Sequence, residues 1–339
     1  MQIRAIATLI GCLLCLNQVK ATLDVLLPNL ARDETVKCGG VSRSKQTIIK
    51  NPSTLTTDSC SYQIRAYSPN VCQLLVEFQE FELQQPVLDA ATQRMECGDH
   101  LEIGDYSLCG DNRGQHLYLP FNVDKGVKDI SLVFKFVHRW TSSKWHLVVT
   151  QLECPSHKRL GQRLFEDGLS GLLVDGRSML NGKSAIENDW ELLAPTGCDQ
   201  YYTKASGTIK SFNFKADGSS RYPPNMKYTM CIKAVNGATI VEYKTTKFSM
   251  SNEVEGSAGY DGDCHSTIQT NGRREDYLMI PQSYVSNSLN IVPTYYCGTS
   301  LQTRPDVIAS GPFVLYFVSD SVTDETETGF SINYRIRSP

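Results

Sequence analysis

Four carboxylates, Asp320, Asp324, Glu325 and Glu327, crowd one short stretch near the C-terminus, "SDSVTDETETGF". Oxygen donors at that density can cage a hard cation, share a proton as a catalytic pair, or stand in a solvated turn. Catalysis needs partners that the rest of the chain does not supply. The six histidines, His100, His116, His138, His146, His157 and His265, never fall in His-Glu-x-x-His, the spacing that sets two ligands on one zinc. No Gly-x-Ser-x-Gly turn offers a nucleophile for acyl transfer. The stretch "GDCHST" around Cys264 resembles a nucleophile loop only superficially, and its cysteine is better explained by a disulfide. Phosphate-cradling glycine loops, EF-hand loops and Cys-x-x-Cys pairs are missing, as is an Arg-Gly-Asp tripeptide. A non-enzymatic protein is expected.

The compartment follows from the N-terminus and the cysteines. Arg4 precedes an apolar run from Ala5 to Leu16, and small residues surround Lys20-Ala21, the pattern of a secretory signal over residues 1–21. Cys12 and Cys15 leave with it, and the ten remaining cysteines read as five disulfides in an oxidising, extracellular setting. No later stretch approaches the roughly 20 apolar residues of a membrane span. Loss of Arg4 and Lys20 moves the formal charge from −3 to −5, without a basic stripe, so nucleic acid is a poor partner. The only near-sequon, Asn51-Pro52-Ser53, is blocked by its proline.

Short alternating runs must position whatever chemistry remains. "CSYQIRAY", "CQLLVEF", "DHLEI", "QHLYLPF", "ISLVFKFV" and "WHLVVTQL" fill the first half, and "GTIKSFNF", "YTMCIKAV", "TIVEY", "DYLMI", "FVLYFVS" and "FSINYRI" the second. Such runs, with no helical period between them, predict antiparallel sheets packed face to face. In the terminal stretch, Leu315, Phe317 and Ser319 should share one face of a strand, with Tyr316 and Val318 on the other. The halves correspond in order: Val76-Glu77-Phe78 with Val241-Glu242-Tyr243, Asp99 to Ile103 with Asp276 to Ile280, and Leu108-Cys109-Gly110 with Tyr296-Cys297-Gly298. Three matches in sequence indicate a duplicated domain. Pro155 to Gly197 has no cysteine before Cys198, several glycines and the dibasic Lys158-Arg159, a possible processing site; it is expected to be a flexible connector. Trp140 and Trp145 flank a polar tip and are expected to close the core rather than bind ligands; Trp190 falls in the connector.

Cysteine spacing, Phe-x-Leu, Cys-x-Asp-x-Leu-x-Ile, Cys-Gly, and the closing "FVLYFVSDSVTDETETGFSINY" together resemble the CUB domain. "LCGDNRGQHLYLPF" and "LAPTGCDQYY" further resemble the secreted tandem-CUB proteins of insects. The resemblance implies two all-β, jelly-roll sandwiches at residues 38–154 and 198–339, after an N-terminal segment at 22–37 and joined by the connector at 155–197. It implies disulfides Cys38–Cys60, Cys97–Cys109, Cys198–Cys231 and Cys264–Cys297, and leaves Cys72 and Cys154, additional to the common pattern, to each other.

Many members of that family bind one calcium ion at an end of the sandwich. Carried onto this chain, the candidate set lies in the second domain only: Asp276 and Asp320, with Glu253 and Glu255 near the position (Ser251) where the family has Glu, and Ser321 as an accessory oxygen. Val322 stands where an Asn or Ser usually helps. The remaining acids, Asp324, Glu325 and Glu327, are expected in a solvated tip. The first domain keeps Asp99 but has Gln84 for the Glu, and "KFVHRWTSSKW" offers no carboxylate. Its rim, with Lys135, His138, Arg139 and Lys144, is expected to be basic. The resemblance thus implies a secreted protein that binds an extracellular protein partner, through Arg139, Lys144, Asp276 and Asp320 as candidate contacts. A carbohydrate- or lipid-binding module and an unrecognised enzyme are the alternatives.

Overall fold

A computed structural model describes residues 34–337 except 55–56, 90–93, 139–140, 156–188, 235–238, 251–275, 287–294, 300, 303–305 and 321–326. The segment expected to be a secretory signal lies outside these residues, as do Arg139, Trp140, the Lys158-Arg159 pair, Glu253, Glu255, Cys264, Ser321, Asp324 and Glu325.

The first half forms β1 (Glu34–Val36), β2 (Val41–Ser42), β3 (Gln46–Lys50), β4 (Ser59–Arg65), β5 (Val71–Glu82), β6 (Val87–Asp89), β7 (Arg94–Glu96), β8 (His100–Ile103), β9 (Tyr106–Leu108), β10 (His116–Pro120), β11 (Asp129–Lys135) and β12 (Lys144–Glu153). Two five-stranded sheets, ordered β1-β3-β12-β5-β10 and β2-β4-β11-β8-β9, make one sandwich, with β6 and β7 as a separate pair. Alternation does what it should: in β4, Cys60, Tyr62 and Ile64 are buried while Ser59 and Ser61 are exposed. Trp145 is fully buried and stacks on Phe134 at 4.3 Å, so it closes the core.

The second half forms β13 (Gln200–Tyr202), β14 (Ser206–Lys210), β15 (Lys227–Ile232), β16 (Ile240–Ser249), β17 (Tyr277–Met279), β18 (Ser283–Val285), β19 (Tyr295–Tyr296), β20 (Val307–Ala309), β21 (Val314–Val318) and β22 (Gly329–Arg337). Its sheets run β13-β15-β21-β17-β19 and β14-β22-β16-β20-β18. The first repeats β2-β4-β11-β8-β9 strand for strand, and β14-β22-β16-β20 repeats β3-β12-β5-β10. The duplication is therefore visible in the connections themselves. Even a loop bond recurs: Leu83 N–H donates to Gly110 O at 2.8 Å, and Met250 N–H to Gly298 O at 3.0 Å.

Three departures from the sequence reading stand out. The sheets are not wholly antiparallel, because β1 pairs parallel with β3, β2 with β4 and β13 with β15. The last two cases share a cause: the chain crosses to the opposite sheet through β3 or β14 before it returns in the same direction, beside its disulfide partner. Residues 34–36, expected to precede the first sandwich, form its edge. The residues just before Cys198, expected within a flexible connector, are fastened to the first sandwich. Asp189 is buried, takes the Lys45 ammonium at 2.7 Å and accepts from Glu153 N–H at 3.1 Å. Gln73 exchanges two hydrogen bonds with the backbone of Ala194, at 2.7 and 3.0 Å.

Four disulfides lie among the described residues: Cys38–Cys60, Cys72–Cys154, Cys97–Cys109 and Cys198–Cys231. Cys297 is also disulfide-bonded. The Cys72–Cys154 bond closes a separation of 82 residues, and each such closure typically contributes about 2–4 kcal/mol.

The two sandwiches meet through specific polar contacts. Tyr118 N–H, on edge strand β10, donates to Asp199 O at 2.7 Å, and Tyr201 N–H donates to the His116 imidazole Nε2 at 2.9 Å. The Asp199 carboxylate also accepts from Thr229 N–H at 2.7 Å and from the Tyr106 hydroxyl, and burial raises its pKa against those bonds. On the other flank Asn213 is fully buried at φ +57°. Its side-chain oxygen accepts from Asp111 N–H at 2.7 Å, its N–H donates to Asn112 Oδ1 at 2.7 Å, and its amide pairs with Gln85. Gly110 makes this approach possible: at φ +72°, a Cβ there would fall 2.0 Å from Asn213 Oδ1. Phe78 and Phe212 meet edge to face across the same seam.

Asn213→Ala leaves the Asp111 N–H and the Gln85 amide on one side, and the Arg221 carbonyl on the other, without their partner, and we expect it to cost about 2–4 kcal/mol in urea denaturation of the full chain. His116 gives a pH signature. Burial pushes its pKa down to about 4, whereas an unfolded chain takes up that proton near 6.5. The stability carried by the neutral ring is complete above pH 6.5 and is lost as pH falls toward 4, amounting to about 3 kcal/mol. The check is the denaturation difference between pH 7 and pH 4.5, which should be smaller in His116→Gln than in the native chain.

Candidate functional site

Strand β17 and the end of β21 bring the two candidate aspartates of the second sandwich together at one end. Asp276, just before β17, is 1% exposed. Its Oδ1 accepts from Asp320 N–H at 2.6 Å and its Oδ2 from the Tyr222 hydroxyl at 2.7 Å. Asp320 N–H is thereby held, and the Asp320 side chain, partly exposed, stands at the rim. Ser319, the inward residue after β21, donates to Pro223 O at 3.0 Å and accepts from Met226 N–H at 2.9 Å. Asn225 N–H donates to Asp320 O at 2.6 Å. Asp276, Tyr222, the 222–226 loop and the Ser319-Asp320 pair therefore form a closed circuit of hydrogen bonds.

Asp276 and Asp320 thus have different roles. Asp276, named from sequence as a candidate partner contact, is buried and positions its neighbour; Asp320 alone of the two reaches the surface. Tyr222 and Asn225 escaped the sequence reading, because a tyrosine before two prolines gives no local sign that its hydroxyl meets a carboxylate from another loop. Glu327, expected in a solvated tip, is only 2% exposed. It follows a hydrophobic strand and precedes Gly329-Phe330, and the entry of β22 into the core draws it inward.

The donor chemistry fits a hard cation in kind. Two carboxylates and a phenolic hydroxyl are oxygen donors of the type calcium takes, though calcium needs six to eight oxygens. Glu253, Glu255 and Ser321, the other members of the expected set, lie outside the described residues. Among the described residues no group of three or more His, Cys, Asp or Glu side chains is placed to hold a metal.

The first sandwich shows the same frame with different chemistry. Asp99 is fully buried and its Oδ1 accepts from His138 N–H at 2.8 Å, the counterpart of the Asp276–Asp320 bond. His138 therefore occupies the place of Asp320, and its Nδ1 meets Gln84 Oε1 at 2.7 Å. An imidazole and an amide stand where two carboxylates would be required, so this donor set does not suit calcium. The rim is also less basic than expected. Lys135 meets Glu102 at 2.6 Å, which lowers the Glu102 pKa, and exposed Lys144 lies opposite Glu82 in register.

Asp276→Ala leaves the Tyr222 hydroxyl and Asp320 N–H without their acceptor, and we expect a loss of about 2–5 kcal/mol in thermal unfolding of the full chain. Asp276→Asn, which keeps one acceptor oxygen, should lose less.

Comparison with known proteins follows this geometry. Residues 195–337 match the family model of the animal CUB domain. No curated protein sequence matches the chain. Among solved structures, the CUB1-EGF-CUB2 domains of rat MASP-1 align over 89% of this chain and 100% of theirs, at 13% identity and a TM-score of 0.25. The full extracellular region of zebrafish Gpr126/Adgrg6 aligns over 42% of this chain and 15% of its own, at 21% identity and a TM-score of 0.27. The MASP-1 CUB2 domain bound to Ca2+ aligns over 40% of this chain and 96% of its own, at 17% identity and a TM-score of 0.20. Disulfides and animal CUB domains are typical of extracellular proteins, and no helix among the described residues is long and apolar enough to cross a membrane. On that match, the second sandwich is a CUB domain of the animal type.

Proposed function

We propose that the chain is a secreted, non-enzymatic binding protein that engages an extracellular protein through the Asp320 rim of its second sandwich, with calcium bound there. The observation that carries this reading is the bond from Asp320 N–H to the buried Asp276 carboxylate, which holds the Asp320 backbone and leaves its side chain at the rim. Fixing a carboxylate in place lowers the entropy lost when it meets a cation or a partner's ammonium group. Asp276 and Asp320 would hold the ion, with Glu253, Glu255 and Ser321 as candidate further donors. The ion offsets the repulsion between carboxylates that otherwise opposes their approach. The two rims differ in chemistry, so the partner surface is assigned to the second sandwich, and Arg139 and Lys144 to a separate, secondary surface on the first.

Calcium should raise the melting temperature of the full chain, and a concentration about 100 times the dissociation constant corresponds to about 2.7 kcal/mol. Asp320→Ala should abolish the rise. An unchanged melting temperature at millimolar calcium rejects the ion. Crosslinking capture from extracellular fluid, with the native chain and Asp320→Ala side by side, tests the partner: equal recovery by both removes this rim from the interface.

A further inference from the structure

The seam between the sandwiches holds a cavity of 220 Å³, away from the Asp320 rim. It is lined by Leu75, Glu77, His116, Tyr118, Leu192 and Tyr201, among others. Its walls come from both sandwiches and from the turn after Asp189, so it exists only because these parts are docked.

Its one acid is placed unusually. Glu77 is partly buried on β5, directly across from His116 on β10, and forms no ion pair among the described residues. The neighbouring histidine does not supply the missing charge. His116 Nε2 accepts Tyr201 N–H, so that nitrogen carries no proton, and burial keeps the ring neutral. Aromatic rings surround the acid. Tyr118 lies edge to face with His116 at 5.8 Å and with Tyr201 at 6.5 Å, and its hydroxyl is tied to Leu192 O at 2.9 Å. Register sets Glu77 on the same face of the β5–β10 pair as Tyr118, and burial first, then the Glu77 charge, pushes the Tyr118 hydroxyl up to about 12. The turn pinned by Asp189 exposes Leu192, part of the cavity wall, at 42% and Trp190, two residues earlier, at 66%.

We infer that this seam cavity receives a lysine side chain of a partner protein, its ammonium group paired with Glu77 and its methylene stem laid along Tyr118 and Tyr201. A partly buried carboxylate without an ion-pair partner gains from a cation, and tyrosine faces attract one as well. One carboxylate among rings suits a point charge on an apolar stem better than a planar guanidinium, which seeks paired acceptors. The exposed Trp190 and Leu192 give the surrounding partner surface an apolar edge to cover. This inference rests on the protein-binding reading above, but neither on calcium nor on the Asp320 rim.

The test uses the full chain and two probes, Nα-acetyl-lysine methylamide and its norleucine analogue, which lacks the ammonium. Tyrosine ring proton resonances are followed by NMR as each is added. The lysine probe should shift them and saturate at millimolar concentration, with the norleucine analogue about tenfold weaker. Glu77→Gln should weaken the lysine probe by a similar factor while its melting temperature stays that of the native chain. Equal binding of the two probes to the native chain overturns the inference, whatever the variant does. So does undiminished lysine binding by a folded Glu77→Gln. Neither outcome touches the calcium and capture experiments, so failure of this pocket and failure of the rim are separable.

Discussion

A β-sandwich buries its faces but leaves its edges, and an edge strand carries backbone donors and acceptors that need partners. Here the edge at β10 is met by the first residues of the second sandwich, with Tyr118 N–H bonded to Asp199 O. Much else follows from that bond. It brings Asp199 beside Tyr106, sets Tyr201 against His116, and aligns the second sandwich so that Asn213 reaches the Gly110–Asn112 turn. Sandwiches that could have been independent are instead joined by buried polar groups. Each of those groups requires a partner at a fixed distance, so the seam has a defined geometry rather than a merely sticky one.

Duplication gave both halves one frame, and at the rim the frame kept one bond while its chemistry diverged. A buried aspartate before β8 or β17 holds the backbone N–H of a residue at the opposite hairpin. The residue it holds is His138 in one copy and Asp320 in the other. The scaffold thus presents either an imidazole satisfied by Gln84 or a carboxylate at a rim. Function separates from fold at one position in each copy, and the supporting aspartate is common to both.

The strands were legible in the sequence because a period of two is a local property, and burial follows it through β4 and β21. The repeated order of Asp99 and Asp276, and of Gly110 and Gly298, likewise needed no coordinates. What local pattern could not carry was pairing between distant polar residues. Asn213 reads as an ordinary turn residue, yet its side chain spans the seam. Lys135 reads as a free basic charge, yet Glu102 from the neighbouring strand answers it. Glu327 reads as solvated because its neighbours in sequence are acidic, while its burial is decided by where β22 enters the core. In the same way, glycines after Pro155 suggest looseness, but Asp189 and Ala194 find their bonds at Lys45, just before β3, and on β5 and β12.

That last arrangement changes what joins the two halves. The chain leaves the first sandwich at Glu153 and Cys154 and comes back at Asp189, whose carboxylate accepts from Glu153 N–H. Departure and return touch. The intervening residues are therefore an excursion from a closed point and not a tether whose length sets the spacing of the domains. Insertion, deletion or a strand break within that excursion leaves the docked pair with the same covalent and hydrogen-bonded anchors on either side of the gap, including Cys72–Cys154 at its start. In mechanical terms, tension drawn through the excursion bears on that crosslink and on Asp189, and the seam between the sandwiches lies off the line of load.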